Sequence, residues 1–419
     1  MNSGTRILII GINYAPELTG IGRYSGDMGA WLSKQGADVQ VITGFPYYPE
    51  WKVRSGYRPG WYRTERILGA KVLRCPMYVP IRPTSVRRML QDLTFMVTSW
   101  LAVTYLRFRG SRFDEIWVAS PSFLSGWVGL WAGWLNSGAR RSLHVFDLQV
   151  DAAGALGMIR GGWLLRILTR VESAMMKRFD RVSTLSEGMR ERIIQKGVAA
   201  DSTMLLPIWV DTVRFQPGVA DTELLFRLGL PTDRRIVLYS GAVGEKQGLE
   251  HVLTMAGLAK AGGMRELLFV ITGGGPYMRI LRMTAKDLGL DNVLFRPLQR
   301  DDDFPALLNA ASLHLVLQRH TAGDHFMPSK LFPILSSGGL ALVTAAAESS
   351  LGKLIFTHDI AELVPVNDPS VLFRHMIDLL RSPADCQRYR TNARQFVEEN
   401  LSRERVLSNY WLIEKIEDI

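Results

Sequence analysis

The sequence 235-RIVLYSGAVGEKQGLE-250 joins a short apolar run to a glycine-rich loop and to the start of a helical pattern. The run Ile236–Ser240 has the length and composition of a buried strand. Gly241 and Gly244 follow it, and the helical pattern begins at Leu249. A strand, a glycine loop and a helix in this order are typical of open α/β sheets.

The same order recurs on both sides of this stretch. Downstream, the strand Leu267–Thr272 precedes the loop Gly273–Pro276 and another helical pattern. Further strands are predicted at Arg6–Ile10, Val39–Thr43, Lys71–Cys75, Glu115–Ala119, Leu143–Phe146, Arg181–Leu185, Val293–Arg296, Leu313–Leu317 and Leu340–Thr344. The predicted fold class is α/β, with two doubly wound parallel sheets in tandem and a boundary within Pro207–Pro231. The last stretch, Ala384–Ile419, is predicted as one helix.

Charge is unevenly distributed along the 419 residues. Residues 1–215 contain 28 Lys and Arg against 16 Asp and Glu, whereas residues 216–419 contain 22 against 24. The first half therefore carries a net charge of +12 and the second half −2. This asymmetry indicates an anionic partner for the first half, for which nucleic acid, an anionic membrane and a phosphorylated substrate are the candidates. The alternative is that the basic excess serves solubility only.

A long aromatic loop interrupts the alternation in the first half. Residues 45–66 include Tyr47, Tyr48, Trp51 and several prolines. Loops of this length inside a compact domain are usually functional or disordered. The sequence alone leaves both interpretations of this loop open.

Four glycine or lysine loops are candidates for binding phosphate. They are Thr19–Gly22, Gly241–Gly248, Gly273–Pro276 and Pro328–Leu331. Glycine lets the backbone approach a phosphate, a helix N-terminus supplies N–H donors, and Lys246 and Lys330 supply positive charge. Because ligands of open α/β sheets bind at the carboxyl ends of strands, these loops predict a diphosphate site in a cleft between two domains.

Several other classes of site are excluded or disfavoured. The chain has no G-x-x-x-x-G-K-[ST] phosphate loop, and Ser25 replaces the third glycine of a dinucleotide-binding motif. Cys75 and Cys386 are too few for a disulfide framework or a cysteine-rich metal site. Asp301–Asp303 is interpreted as a solvated loop that caps the following helix rather than as a metal site.

These motifs resemble those of the family-four glycosyltransferases, which have the GT-B architecture of two facing Rossmann-like domains. The resemblance is greatest to the WcaI type, which acts in colanic acid and exopolysaccharide synthesis. It rests on Gly11–Tyr14, Pro16–Gly22, Pro46–Trp51, Tyr239–Gly241, Gly244–Glu250 and Pro328–Leu331. It implies an acceptor domain over residues 1–215, a nucleotide-sugar domain over 216–390 and a C-terminal helix over 391–419 that packs back on the first domain.

The resemblance also implies the roles of individual residues. The donor-binding positions are Gly20, Gly22, Gly244, Lys246, Gly274, Gly275, Asp324, Ser329, Lys330 and Leu331. Lys246 matches the phosphate-binding lysine of the family, and Lys330 lies where a side chain approaches the donor. Asp147 follows the strand Leu143–Phe146, where the family has a polar residue near the reacting sugar. Asp147, Lys246 and Lys330 are therefore the expected catalytic residues.

Three positions depart from the family pattern. Relatives usually carry two glutamates eight positions apart in the late loop and helix, and these positions are His325 and Pro333 here, with Asp324 beside the first. Ala242 stands where relatives tend to have an arginine. The resemblance therefore does not supply the residue that binds the nucleotide ribose.

The implied reaction is a retaining sugar transfer without a metal or other cofactor, by front-face attack on a nucleotide sugar. GDP-fucose is the first expectation for the donor, and a UDP-linked N-acetylated deoxysugar is the next. The expected acceptor is a saccharide on a polyprenyl diphosphate, and no nucleic acid is expected. A sugar-nucleotide epimerase and a non-catalytic nucleotide-sugar-binding protein stay open as alternatives.

Basic residues beside apolar ones predict a membrane surface on the first half. Arg88–Phe108 is a largely apolar helical pattern, and Arg160, Arg166 and Arg170 are interleaved with Trp163 and leucines. Such helices suit the interface of an anionic membrane, and no stretch has the length and composition of a span. We therefore expect a cytoplasmic protein that is peripheral on the inner face of the cytoplasmic membrane.

Overall fold

The computed structural model describes residues 4–17, 20–58, 60–120, 123–155, 162–318, 327–365 and 368–412. The chain divides into two compact units. The first extends to Pro207 and includes the residues from Asn409 onward, and the second is Ile208–Ser408. The first domain implied by the sequence ends at residue 215, whereas the structure assigns residues 208–215 to the second unit. Within that unit, Ser336 Oγ donates to Phe215 O at 2.5 Å.

The first unit is built on an eight-stranded sheet. Its strands are β1 (Arg6–Ile10), β2 (Asp38–Thr43), β3 (Arg63–Ile67), β4 (Ala70–Arg74), β5 (Glu115–Ser120), β6 (Arg140–Val145), β7 (Arg181–Thr184) and β8 (Thr203–Leu205). Its helices are α1 (Gly20–Lys34), α2 (Ser85–Phe108), α3 (Phe123–Leu135), α4 (Gln149–Ala155), α5 (Gly162–Met176) and α6 (Glu187–Gln195). The strand order is β3-β4-β2-β1-β5-β6-β7-β8, in which only the β3–β4 pair is antiparallel. The order reverses between β1 and β5, which is where open sheets bind ligands.

The second unit has a six-stranded, wholly parallel sheet. Its strands are β9 (Arg235–Ala242), β10 (Leu267–Gly274), β11 (Val293–Arg296), β12 (Leu313–Val316), β13 (Ala341–Thr344) and β14 (Glu362–Val364). Its helices are α7 (Thr222–Arg227), α8 (Glu250–Ala261), α9 (Met278–Asp287), α10 (Phe304–Ala310), α11 (Leu331–Ser336), α12 (Ser350–His358), α13 (Pro369–Arg381) and α14 (Pro383–Asn400), with a 3₁₀ turn at Glu245–Gln247. The last helix, α15 (Arg403–Leu412), begins in the second unit and passes into the first at Asn409. The order is β11-β10-β9-β12-β13-β14, so it reverses between β9 and β12.

These two sheets confirm the predicted α/β class. Strands β1 and β11 have the predicted bounds, and the other predicted strands differ by a few residues at their ends. Three short strands, β3, β8 and β14, were not predicted. Strand β3 has the sequence RTERI and lies at the sheet edge, where its outward side chains are polar and an apolar pattern is absent.

The predicted single helix Ala384–Ile419 is interrupted. Helix α14 ends at Asn400 and α15 begins at Arg403. Val210 N donates to Leu401 O, and Arg403 N donates to Val210 O, both at 2.8 Å. These bonds engage backbone groups that a continuous helix would use. Residues 413–419 lie outside the described residues.

Candidate active site

Two glycine loops of the second unit lie side by side at the carboxyl ends of β9 and β10. A Cβ atom at Gly273 would lie 1.8 Å from Gly241 O, and one at Gly275 would lie 2.1 Å from Val243 O. Gly273 and Gly275 have φ angles of +147° and +150°, which side chains rarely adopt. A Cβ atom at Gly274, in contrast, would meet nothing within 4 Å. The loops therefore form a bare backbone surface on which Gly274 is the open position.

Lys330 reaches this backbone surface from the turn before α11. Its Nζ lies 3.6 Å from the centroid of the Tyr239 ring, and a Cβ atom at Gly241 would lie 3.4 Å from the same Nζ. The Tyr239 hydroxyl donates to Ala242 O at 2.6 Å, and burial raises the pKa of this phenol, which keeps it neutral. The lysine ammonium thus lies on an aromatic face where the strand order reverses. A positive charge beside open backbone suits a diphosphate.

The other predicted donor-binding residues of the second unit differ in how far they are buried and in which hydrogen bonds they already make. Gly244 N donates to Gln247 Oε1 at 3.0 Å, so this amide is engaged within the 3₁₀ turn. Lys246 lies in the same turn, and its side chain is outside the described part of the chain. Ser329 is half-buried in the turn before α11. Leu331 is fully buried, so its side chain packs in the core, and a donor contact there would be made by its backbone.

Of the positions that depart from the family pattern, the structure describes Pro333 and Ala242. Asp324 and His325 lie outside the described residues. Pro333 is buried within α11 and its side chain has no hydrogen-bonding group. Ala242 is exposed at the end of β9.

The two predicted glycines of the first unit differ in their surroundings. Gly20 is exposed at the start of α1 with φ of +65°, and a Cβ atom there would lie 3.5 Å from Tyr48 Cε1. Gly22 is buried, and a Cβ atom there would lie 2.4 Å from Glu17 Oε2. Gly20 is therefore the open position, whereas Gly22 is required by the packing of Glu17.

The aromatic loop packs beside Gly20. Trp51 lies 5.4 Å from Tyr47 and 6.3 Å from Tyr48 between ring centroids, and the Arg88 guanidinium lies 4.7 Å from the Trp51 ring. Burial raises the pKa of Tyr48, the positive charge of Arg88 opposes this rise, and the negative charge of Asp147 adds to it. The structure thus brings Asp147, Arg88 and the Tyr48 phenol into one region of the first unit, although only Asp147 was predicted there.

The three consecutive aspartates do not act as the predicted helix cap. Asp303 occupies the N-cap position of α10, but its side chain makes no capping hydrogen bond and contacts Arg227 at 2.9 Å. Asp301 pairs with Arg214 at 2.8 Å. Arginine therefore neutralises two of the three carboxylates. Within the described ranges, no group of three His, Cys, Asp or Glu side chains is placed to hold a metal ion.

Helix α2 turns its large apolar side chains toward solvent. Its buried residues are Gln91, Phe95, Ser99, Ala102 and Val103. Its exposed apolar residues are Val86, Met89, Leu90, Leu93, Val97, Trp100, Leu101, Tyr105 and Phe108. The exposed residues recur every three or four positions and so form one stripe. An exposed apolar stripe of this size marks an interaction surface.

Helix α5 has a smaller surface of the same kind. It exposes Trp163, Leu164, Ile167 and Val171. Arg166 and Arg170 are exposed on the same helix, whereas Arg160 lies outside the described residues. Across the described ranges, every helix is too short or too polar to traverse a bilayer.

Two known families match this chain, one in each half. Residues 19–209 match the glycosyl transferase 4-like domain, and residues 221–396 match the glycosyl transferases group 1. The sucrose-phosphate synthase of Thermosynechococcus elongatus has a similar fold, with a TM-score of 0.73 and 17% identity over 98% of both chains.

Two curated relatives are glycosyltransferases by name. The chain is 40% identical to the colanic acid biosynthesis glycosyl transferase WcaI of Escherichia coli over 412 residues, which are 97% of this chain and 98% of that protein. It is 25% identical to a GDP-mannose-dependent alpha-(1-6)-phosphatidylinositol monomannoside mannosyltransferase of Mycobacterium tuberculosis, over 72% of this chain and 70% of that protein. The chain therefore belongs to the family-four glycosyltransferases, as the motifs predicted, and is a glycosyltransferase.

Proposed function

We propose that this glycosyltransferase transfers a sugar from a nucleotide-activated donor to a lipid-linked saccharide in exopolysaccharide synthesis of the colanic acid kind. The observation that carries the proposal is the backbone surface of Gly241, Gly273 and Gly274 with the Lys330 ammonium beside it. Extensive identity to WcaI, a protein named for colanic acid biosynthesis, supports the pathway.

The donor diphosphate is assigned to the second unit. Gly274 leaves room for a phosphate to approach the main chain, and Lys330 supplies charge. Lys246 lies in the 3₁₀ turn after β9, at the same end of the sheet, and is assigned a second phosphate contact. Charge stabilisation of a departing diphosphate is the main contribution that such groups make to sugar transfer.

GDP-fucose is the proposed donor. The Mycobacterium relative is named as GDP-mannose-dependent, which supports a guanine base over uracil. A UDP-linked N-acetylated deoxysugar is the alternative. A thermal-shift comparison of GDP, UDP and ADP separates them, because the bound nucleotide stabilises the folded chain according to its affinity.

The proposed mechanism is a retaining front-face transfer without a metal. The bond between the anomeric carbon and the diphosphate oxygen breaks, and the acceptor hydroxyl attacks that carbon from the same side to form the new glycosidic bond. A phosphate oxygen of the departing nucleoside diphosphate takes the hydroxyl proton. Lys246 and Lys330 stabilise the negative charge that develops on the phosphate, and Asp147 orients the acceptor. The pairing of Asp301 and Asp303 with arginines supports the metal-free scheme, because these carboxylates are already neutralised.

An anionic membrane is the proposed surface on which the acceptor is met. The outward apolar stripe of α2 lies in the half of the chain with a net charge of +12, and α5 adds Trp163 with the exposed Arg166 and Arg170 after it. The proposed acceptor, a saccharide on polyprenyl diphosphate, is held by such a membrane. The Mycobacterium relative is named for a phosphatidylinositol-linked acceptor, which supports a lipid-linked one here.

A vesicle-binding assay tests this surface. Serine at Met89, Val97 and Leu101 together should reduce pelleting with vesicles of anionic phospholipid, because all three side chains are exposed on the α2 stripe. The control variant carries serine at three exposed apolar positions of the second unit, Phe226, Ile280 and Phe356. Equal pelleting of the two variants would refute the assignment of α2.

The transfer reaction is tested with purified protein, GDP-fucose and a polyprenyl-diphosphate saccharide. Release of GDP that depends on the acceptor supports a transferase. Conversion of the nucleotide sugar without acceptor would favour an epimerase. Binding of nucleotide without any turnover would favour a non-catalytic protein.

A further inference from the structure

Glu17 is a buried carboxylate at the junction of two loops of the first unit. It is 6% exposed. Its Oε1 accepts the backbone N–H groups of Tyr47 and Tyr48 at 3.0 and 3.1 Å, and its Oε2 accepts from Asn13 Nδ2 at 2.9 Å. A side chain at Gly22 would collide with Oε2. One carboxylate therefore joins the loop before α1 to the aromatic loop, about thirty residues later in the chain.

Three N–H donors meeting at two oxygens require a group that only accepts hydrogen bonds. A carboxylate meets this need, whereas a glutamine would turn an NH₂ group toward the NH₂ of Asn13. Burying a carboxylate is costly unless its hydrogen bonds are made. Burial raises the pKa of Glu17 to about 7, although the three N–H donors and the Arg74 guanidinium act to lower it.

The two peptide groups held by Glu17 fix the position of Tyr48. The Tyr48 ring lies against Gly20, and its phenol is close enough to Arg88 and Asp147 for their charges to act on its pKa. Tyr47 and Tyr48 both pack on Trp51. The carboxylate of Glu17 is therefore hydrogen-bonded to the backbone of the residues that we assign to the acceptor-binding region.

We propose that Glu17 is a positioning residue, which holds the Tyr47–Tyr48 peptides so that Tyr48 and Asp147 present one preformed surface to the acceptor saccharide. This inference rests on the proposed transfer reaction. It identifies a residue that acts through others and does not contact the substrate itself. The donor site of the second unit should be unaffected by its loss.

The first test compares two variants with a matched control. Glu17→Ala and Glu17→Gln should each lower kcat/KM for the acceptor by about tenfold or more, because hydrogen bonds to a charged group are lost. Thermal stabilisation by GDP should stay at the wild-type value. The control is Glu115→Gln, which changes an equally buried glutamate of the same unit (5% exposed), bonded to Ser142 at the opposite end of the sheet. It should leave acceptor kcat/KM within about twofold of wild type.

A charge exchange tests the hydrogen-bond geometry directly. Asn13→Asp alone should be as harmful as Glu17→Gln, because two carboxylates would then lie about 2.9 Å apart. The double variant Asn13→Asp with Glu17→Gln restores donor and acceptor in exchanged positions. It should recover acceptor kcat/KM to within about threefold of wild type.

The pH profile adds a readout that a purely structural role would not change. Protonation of Glu17 adds a donor where Asn13 already donates, so wild-type transfer should decline as the pH falls through about 7. The charged or titratable groups that act on this carboxyl are Arg74 and the phenols of Tyr47 and Tyr48. Glu17→Gln should lack this acidic limb.

The outcomes separate the two proposals. Absence of transfer by the wild-type protein would reject the proposed function. Wild-type transfer together with unchanged acceptor kcat/KM in Glu17→Ala would overturn the role of Glu17. A loss of GDP stabilisation in both Glu17 variants would also overturn it, since the effect would then be general unfolding. Failure of the double variant to recover would overturn it as well, since the hydrogen bond between residues 13 and 17 would then not be what sustains transfer.

Discussion

Replacing Lys330 with methionine removes one charge from the proposed diphosphate site and keeps most of the side-chain stem. Lys330 Nζ lies 3.6 Å from the centroid of the buried Tyr239 ring, and methionine keeps a flexible apolar side chain of nearly the same length. A charge-assisted hydrogen bond to phosphate stabilises by about 1.5–3 kcal/mol. At about 1.4 kcal/mol for each factor of ten, kcat/KM for the donor should fall roughly 10- to 150-fold.

The assay measures steady-state transfer with varied donor and the thermal shift produced by GDP. Both should decrease in Lys330→Met, while the melting temperature without ligand changes little. Lys353→Met is the control, because Lys353 is exposed on α12 of the same unit and lies outside the glycine loops. Wild-type donor kinetics and a wild-type GDP shift in Lys330→Met would refute the assignment of the diphosphate to this backbone surface.

Four further outcomes are expected. Lys246→Ala should lower transfer by about tenfold or more with the fold intact, as measured by donor kcat/KM and circular dichroism. EDTA should not stop transfer, and inhibition that magnesium reverses would direct attention back to Asp301–Asp303. The protein should pellet with anionic vesicles at low salt and be partly released at high salt. Salt screens the electrostatic attraction to the vesicles, whereas the insertion of apolar side chains persists. Neutralising Arg160, Arg166 and Arg170 together should weaken that binding by about 1 kcal/mol for each arginine near the surface.

The sheets could be predicted because their strands are buried and short. Runs such as Arg6–Ile10 and Val293–Arg296 are short, largely apolar and bounded by polar or turn residues, so their length, composition and flanks locate them. Strand β3 could not be found in this way, because an edge strand with exposed side chains lacks that pattern. The break between α14 and α15 depends on Val210, which is nearly two hundred residues away in the chain.

The candidate site was predictable in its residue types and less so in their roles. Lys330 and Gly274 lie where a strand–loop–helix unit places them. The surroundings of Gly22 and Leu331 required the structure, because neither the close contact of Gly22 with Glu17 nor the burial of Leu331 can be derived from a motif. Glu17 was visible in the motif, but its partners are peptide groups of a distant loop, which leave no trace in a pattern of side chains.

The close contact between the two glycine loops of the second unit limits how the sequence of such an enzyme can change. A surface made of main chain has no side chain to exchange, and carbonyl oxygens of the neighbouring loop block any replacement at Gly273 or Gly275. Its shape should therefore persist while the rest of the sequence drifts. Preference for one base or sugar is then encoded in the surrounding side chains. Libraries that seek a new donor should keep these glycines fixed and vary the residues around them.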